Sequence, residues 1–264
     1  MYLKDFKERI KIRWNDFQVV IDDSSWDASI KFNIKPDDFL VFAKDDYKIM
    51  DKKGLVGALS NSKRAIDCQV DWIISYLGYD YLNFNDSKYP EIKLLIDEFE
   101  SNLKIHKNSS IKLRFIQALE IAPIFLISQI RIIRNKLEHE YVLPNSNEVR
   151  EAIEVAELFI NATQNIIINK FSTDVYIGNH YDEKTWTWTS PHLEISFNPF
   201  HKESNRINIT YIDEKKFKTE LKATDKGYVY FIKSAITQDF SYLVKAFNYE
   251  IDKKYVKYIF KFME

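Results

Sequence analysis

The spacing of apolar residues changes at Phe171, and this change constrains the fold more than any other feature of the chain. Before it, apolar side chains recur every third or fourth position, the period of a helix with one buried face. Leu55, Leu59, Ile66, Val70, Ile73 and Leu77 form one such stripe, Ile92, Leu95, Ile96, Phe99 and Leu103 a second, and Val149, Ile153, Ala156, Phe159 and Ile160 a third. After it the runs are short and mostly alternate, as in strands with one buried face. They are Val175–Ile177, Trp186/Trp188, Leu193/Ile195/Phe197, Ile207/Ile209/Tyr211, Tyr228/Tyr230/Ile232 and Val256/Tyr258/Phe260/Phe262, with one helix expected at about 239–247. The expected class is therefore α+β, an all-α helical bundle followed by a smaller β-rich domain.

The chain has 264 residues, enough for one large domain or two ordinary ones. The spacing predicts three parts. Residues 1–54 form a helical extension packed on the bundle, with an amphipathic helix over 3–20 (Leu3, Phe6, Ile10, Trp14, Phe17) and a second helix starting at Pro36. Residues 55–171 form the bundle and residues 172–264 the β-rich domain. Gly78 is a plausible helix stop, Pro123 marks a kink or a restart, and Asn145 with Glu148 matches a capping pair.

Charge narrows the function classes. The net charge is -1, and the three parts carry 0, -2 and +1, so no global basic field draws in nucleic acid; a polyanion would need a local patch. One cysteine, Cys68, excludes an intramolecular disulfide or a multi-cysteine metal site, and it reads as a small core residue. The start of the chain lacks an apolar leader core, and the uncharged run 121–130 is about half the ~20 residues a membrane span needs. A cytoplasmic protein is expected, without a membrane partner. Five glycines leave no glycine-rich phosphate loop, and the sequence at 139–143 lacks the second histidine of a zinc-protease helix. No cofactor and no metal are called for. Trp186 and Trp188 alternate as on one face of a strand, which suits either the core face of a sheet or a base-stacking platform.

The segment Arg134-Asn135-Lys136-Leu137-Glu138-His139-Glu140-Tyr141 concentrates the chemistry. It closes the most apolar helical pattern, residues 111–142. Asn135 and His139 are four apart, so they stand one above the other on one helical face, with Arg134 ~100° round. A helix C-terminus favours a protonated histidine. An arginine beside it would neutralise a pentacoordinate phosphorane, an effect of about 3 kcal/mol, and the histidine would move a proton. The same residues also suit ordinary helix capping, and Glu138 and Glu140 suit ion pairs on a solvated face.

The string R-N-x-x-x-H-x-Y at the end of an apolar third helix, before a fourth amphipathic one, resembles the signature of the HEPN superfamily over roughly residues 55–170. The resemblance implies a core of four or more helices and, for many members, metal-independent endoribonuclease activity in toxin–antitoxin, phage-defence or RNA-processing systems. It implies Arg134 and His139 as catalytic, with Asn135 as their polar partner. It further implies a homodimer whose two motifs share one cleft, RNA as substrate, and 2′-hydroxyl attack on the adjacent phosphorus. In some toxins of the group the tyrosine at the place of Tyr141 is nucleotidylated by a partner transferase, so an antitoxin or nucleotidyltransferase partner is implied as well. Asp71, one turn from Asp67, is a candidate to orient the arginine or histidine, or one of a solvent-facing acidic pair. Some members of the superfamily act as non-catalytic binding modules, which gives the alternative reading.

Overall fold

A computed structural model describes residues 6–22, 32–101, 109–122, 125–198 and 206–260. The chain is mixed α/β, and its two compact units are each discontinuous in sequence. Residues 28–75 with 98–169 form a helical unit, and residues 1–27, 76–97 and 170–264 a sheet unit. The division therefore runs differently from the expected 1–54, 55–171 and 172–264.

In the helical unit, α1 (Pro36–Ile49) starts at a proline with Asp37 and Asp38 in its first turn, and Asp38 Oδ2 accepts from the Lys35 amide at 2.8 Å. The long α2 (Lys52–Tyr76) buries Leu59, Ile66, Val70 and Ile73, as its spacing predicts. Helix α3 (Pro90–Ser101), expected in the bundle, is divided between the units: residues 90–97, with the buried Ile92, Leu95 and Ile96, belong to the sheet unit, and only its last turn to the helical unit. The long pattern of residues 111–142 divides into α4 (Ile111–Ala118) and α5 (Phe125–His139). Glu120 turns left-handed between them at φ 61°, and Pro123 itself lies outside the described residues. Helix α6 (Ser146–Asn165) opens on the expected capping box: Asn145 Oδ1 accepts from the Glu148 amide at 3.0 Å, and Glu148 Oε2 accepts from the Asn145 amide at 2.9 Å.

The sheet unit corrects three expectations. The expected amphipathic helix over 3–20 is not formed by its described part, residues 6–20: after a short helical turn at Phe6, the chain reaches β1 (Phe17–Asp22). Phe6, Trp14 and Phe17 are buried and belong to the sheet unit. Trp14 stacks on Phe247 with centroids 5.0 Å apart, and the Lys11 amide donates to the Tyr211 hydroxyl at 3.0 Å. Apolar residues spaced by three or four fit both patterns here, and pairing of β1 on both sides decides between them. The second correction is at 228–237, which form α7 (Tyr228–Thr237) and not a strand. Nearly every residue of α7 is buried, and the unbroken apolar run at its start places large side chains at alternate positions (Tyr228, Tyr230, Ile232), which mimics a strand. The third is an additional strand, β7 (Lys216–Lys222).

The remaining strands are β2 (Asp174–Gly178), β3 (Tyr181–Asp182), β4 (Thr187–Trp188), β5 (His192–Asn198), β6 (Arg206–Ile212) and β8 (Val256–Phe260). Six of the eight form one sheet in the order β7-β6-β5-β2-β1-β8, antiparallel except for the parallel pair β1/β8; β3 and β4 form a separate hairpin. The register aligns Val19, Ile177, Leu193 and Tyr211 in one buried row and Val175, Ile195 and Ile209 in the next, which the half-buried Ile21 continues. Ring contacts run from Phe17 through Trp14 and Phe247 to Phe231 on α7, which ties the helices α7 and α8 (Ser241–Ala246) to the sheet.

Candidate active site at the end of helix α5

Helix α5 ends at His139, so the motif occupies its last two turns. Arg134 belongs to this helical run, but its side chain lies outside the described residues. Asn135, Lys136, Glu138, His139, Glu140 and Tyr141 are all exposed, whereas Ile127 and Ile130, further back on the helix, are buried. The helix thus runs from core into solvent, and its polar end is presented to the outside. Asn135 and His139 have the i, i+4 spacing that aligns them on one face.

The chain leaves α5 through a tight reversal. The amides of Glu140 and Val142 both donate to the Lys136 carbonyl, at 3.0 and 3.2 Å. Tyr141 takes the left-handed conformation at φ 57° and is 87% exposed. Glycine or asparagine usually fills such a position, because a Cβ there crowds the following carbonyl. Tyrosine is an expensive choice for a residue whose ring gains no burial.

Asp71 is engaged by a lysine of α4. It is half-buried on α2, and its Oδ1 stands 2.6 Å from Lys112 Nζ on α4. Burial pushes its carboxyl above the usual carboxylate range, and the lysine opposes that rise. Asp67, one turn away, pairs with Lys63 on its own helix. Neither carboxylate is placed as the orienting partner of His139, and the ion pair to α4 could not be read from α2 alone. Cys68, expected in the core, is only half-buried; its Sγ lies 3.6 Å from the Ile34 carbonyl oxygen, and burial pushes the thiol up to about 11, with Asp71 the next cause.

An apolar groove of about 380 Å³ lies between α5 and α6, lined by Ile130, Ile133, Val155 and Leu158 with Glu151 and Glu154 at its rim. On α5 Ile132 is 49% exposed, and Val142 and Leu143 are exposed past the helix end. The sequence predicts burial of α5 on most sides, and among its described side chains Ile132 departs from that expectation. Its solvation energy is unfavourable at ~25 cal/mol per Å² of apolar area left in water.

Among the described residues, no group of three or more His, Cys, Asp and Glu side chains is arranged to hold a metal ion, and no helix is long and apolar enough to cross a membrane. His180 and His192 lie in the sheet unit, and His201 lies outside the described residues. Comparison of the chain with protein-family models, with curated proteins and with solved structures found no match in any of the three.

Proposed function

We propose that the chain is a metal-independent endoribonuclease of the HEPN type. The observation that carries this reading is the open end of α5, where Asn135 and His139 stand exposed on a helix whose preceding turns are buried. In the proposed reaction His139 takes the proton of a ribose 2′-hydroxyl. The 2′-oxygen bonds to the adjacent phosphorus, the bond to the 5′-oxygen breaks, and a cyclic 2′,3′-phosphate remains. Arg134 neutralises the phosphorane, and Asn135 donates to a phosphate oxygen or holds the imidazole. The leaving 5′-oxygen takes its proton from a second histidine, which a second copy of the chain supplies across a two-fold axis. The uncovered apolar face beside the motif supports such pairing. The biological setting that follows is a toxin, phage-defence or RNA-processing role in the cytoplasm. An antitoxin or nucleotidyltransferase partner would reach Tyr141, whose ring is free of burial.

The exposed Glu138 and Glu140 around His139 favour a second reading, a non-catalytic module that binds a nucleotide or a partner protein, since like charges repel RNA phosphates. RNA cleavage in excess chelator separates the two. The nuclease reading expects cleavage by the wild type and a loss of roughly 10²-fold or more in His139→Ala and in Arg134→Ala. Equal rates in wild type and variants, or no cleavage of varied RNAs by a folded wild type, would sink it.

A further inference from the structure

The sheet unit carries a second surface with the chemistry of nucleic-acid recognition. Opposite the buried rows, the register places Gly178, His192, Ile212 and Lys216 side by side on β2, β5, β6 and β7. The next row on the same face is Tyr176, Glu194, Thr210 and Lys218. The β3–β4 hairpin folds onto the first row. Its Trp188 ring lies flat on Gly178, where an added Cβ would stand 2.6 Å from Cζ3. The same ring stacks on the His192 imidazole (centroids 5.4 Å, planes 13° apart), and Tyr181 meets it at 5.0 Å.

This aromatic ledge is fixed from below. The Tyr181 amide donates to Gln18 Oε1 at 2.8 Å, and the His180 amide donates to Ser190 Oγ at 3.1 Å. Asn179 donates to the Arg13 and Asp16 carbonyls. Tyr176, Tyr181, Trp188 and His192 all stay partly exposed. At the tip of the hairpin, Trp186 is 50% exposed and left-handed at φ 55°. It lies in the turn and not on the strand, so the two tryptophans do not share a strand face as their alternation suggests. A bulky residue in that conformation costs about 1–2 kcal/mol. Such strain is commonest where a side chain is needed for binding.

Charge is arranged to match. Strand β7 turns Lys216, Lys218 and Lys222 to this face, interrupted by Glu220, and all four are exposed. The other acids of the face, Asp22, Asp174 and Glu194, lie on β1, β2 and β5. Three strand spacings separate β2 from β7, about 14 Å. A chain laid from the ledge across Ile212 meets rings first and lysines last, without an acid in that row.

We propose that this face of the sheet binds single-stranded nucleic acid, with bases stacked on Trp186, on the Tyr181–Trp188 ledge and on Tyr176 in the next row, and phosphates held by Lys216 and Lys218. Aromatic faces accept any base, so the binding is tolerant of sequence and sensitive to salt. This site is separate from the motif on α5 and stands whether or not that motif cleaves RNA.

The test uses the full chain with His139→Ala, so that cleavage does not intervene. Fluorescence anisotropy reads its affinity for a labelled single-stranded uridine oligonucleotide at two salt concentrations. Trp186→Ala and Tyr176→Ala each weaken binding roughly 10-fold, the value of one lost stacking contact. The double change Lys216→Ala/Lys218→Ala lowers the salt slope by about one to two. Circular dichroism and the melting midpoint show that each variant is folded. Absence of binding by the parent, or variants that bind as the parent does, overturns the proposal. Affinity lost only on changing Asn135 also overturns it, by placing the oligonucleotide on the helical unit.

Discussion

Lys112 Nζ stands 2.6 Å from Asp71 Oδ1 and joins α4 to α2 inside the helical unit. Both side chains are less than a third exposed, so the pair is screened less than a surface ion pair. Lys112→Met leaves the carboxylate half-buried without its cation, and a loss of about 1–2 kcal/mol in chemical denaturation is expected. Burial has already raised the Asp71 pKa, and removing the lysine raises it further. A carboxyl with a raised folded-state pKa favours the folded state below its unfolded value and loses that contribution as pH rises through the folded pKa. The deficit of Lys112→Met is therefore largest at neutral pH and shrinks toward acid. A deficit constant across that range would contradict the pairing. Asp71→Asn should leave any RNA cleavage within about twofold of wild type, since the carboxylate serves the fold and not the histidine.

Tyr141 gives a prediction of opposite sign. Its left-handed backbone and exposed ring mean that the side chain costs stability and recovers none by burial. Tyr141→Gly is expected to raise the stability of the helical unit by up to about 1 kcal/mol, read as a higher melting midpoint. If the ring is kept for modification or RNA contact, the same variant loses that function while gaining stability. A destabilised Tyr141→Gly would show that the ring packs on something in solution.

Helices α2 and α6 were legible in the sequence because their information is local: one apolar stripe each, and for α6 the Asn145/Glu148 box at its start. Strand β1 was not, because its identity depends on β2 and β8, far away along the chain. Helix α7 is hidden in the sequence because its opening apolar run alternates as well as it recurs at helical spacing. Strand β7 did carry a signal, with Phe217, Thr219 and Leu221 alternating against lysines, but charged outer positions mask a strand whose inner row includes a threonine. At the motif, the stacking of Asn135 on His139 follows from helical geometry alone. The left-handed Tyr141, the Lys112 partner of Asp71 and the exposure of Ile132 are tertiary facts that no short window contains.

Gly178 must remain glycine for the hairpin to lie where it does. The Trp188 ring and the His192 Cβ occupy the space of an added methyl, at 2.6 Å and 3.0 Å. Gly178→Ala lifts the indole off the sheet, at a cost of about 1–3 kcal/mol typical of overpacking. The expected signs are a lower melting midpoint and tryptophan emission shifted to the red. Trp188→Ala, which removes the clash, should restore much of the lost stability when combined with Gly178→Ala. Additive losses in the double variant would mean that the two residues do not touch.

His192 makes the sheet unit sensitive to acid. It is partly buried beneath Trp188, and desolvation pulls its pKa below the ordinary value of 6.5; the Ser190 carbonyl and Glu194 oppose that shift, and Lys216 adds to it. The folded state therefore binds the proton less readily than the unfolded chain does. Stability from this group is fully present above 6.5 and is lost as pH falls through the folded-state pKa. Unfolding followed from neutral pH to about pH 5 should show the sheet unit weakening across that interval, with a slope of at most about one proton. His192→Phe keeps a flat ring under the indole and removes the titrating group, so its stability should stay level over the same interval. Imidazole resonances followed by NMR give the independent reading: the His192 signal must titrate below its ordinary value in the wild type and be missing from the variant. A His192 signal that titrates at or above the ordinary value would mean that Trp188 does not shield it from water.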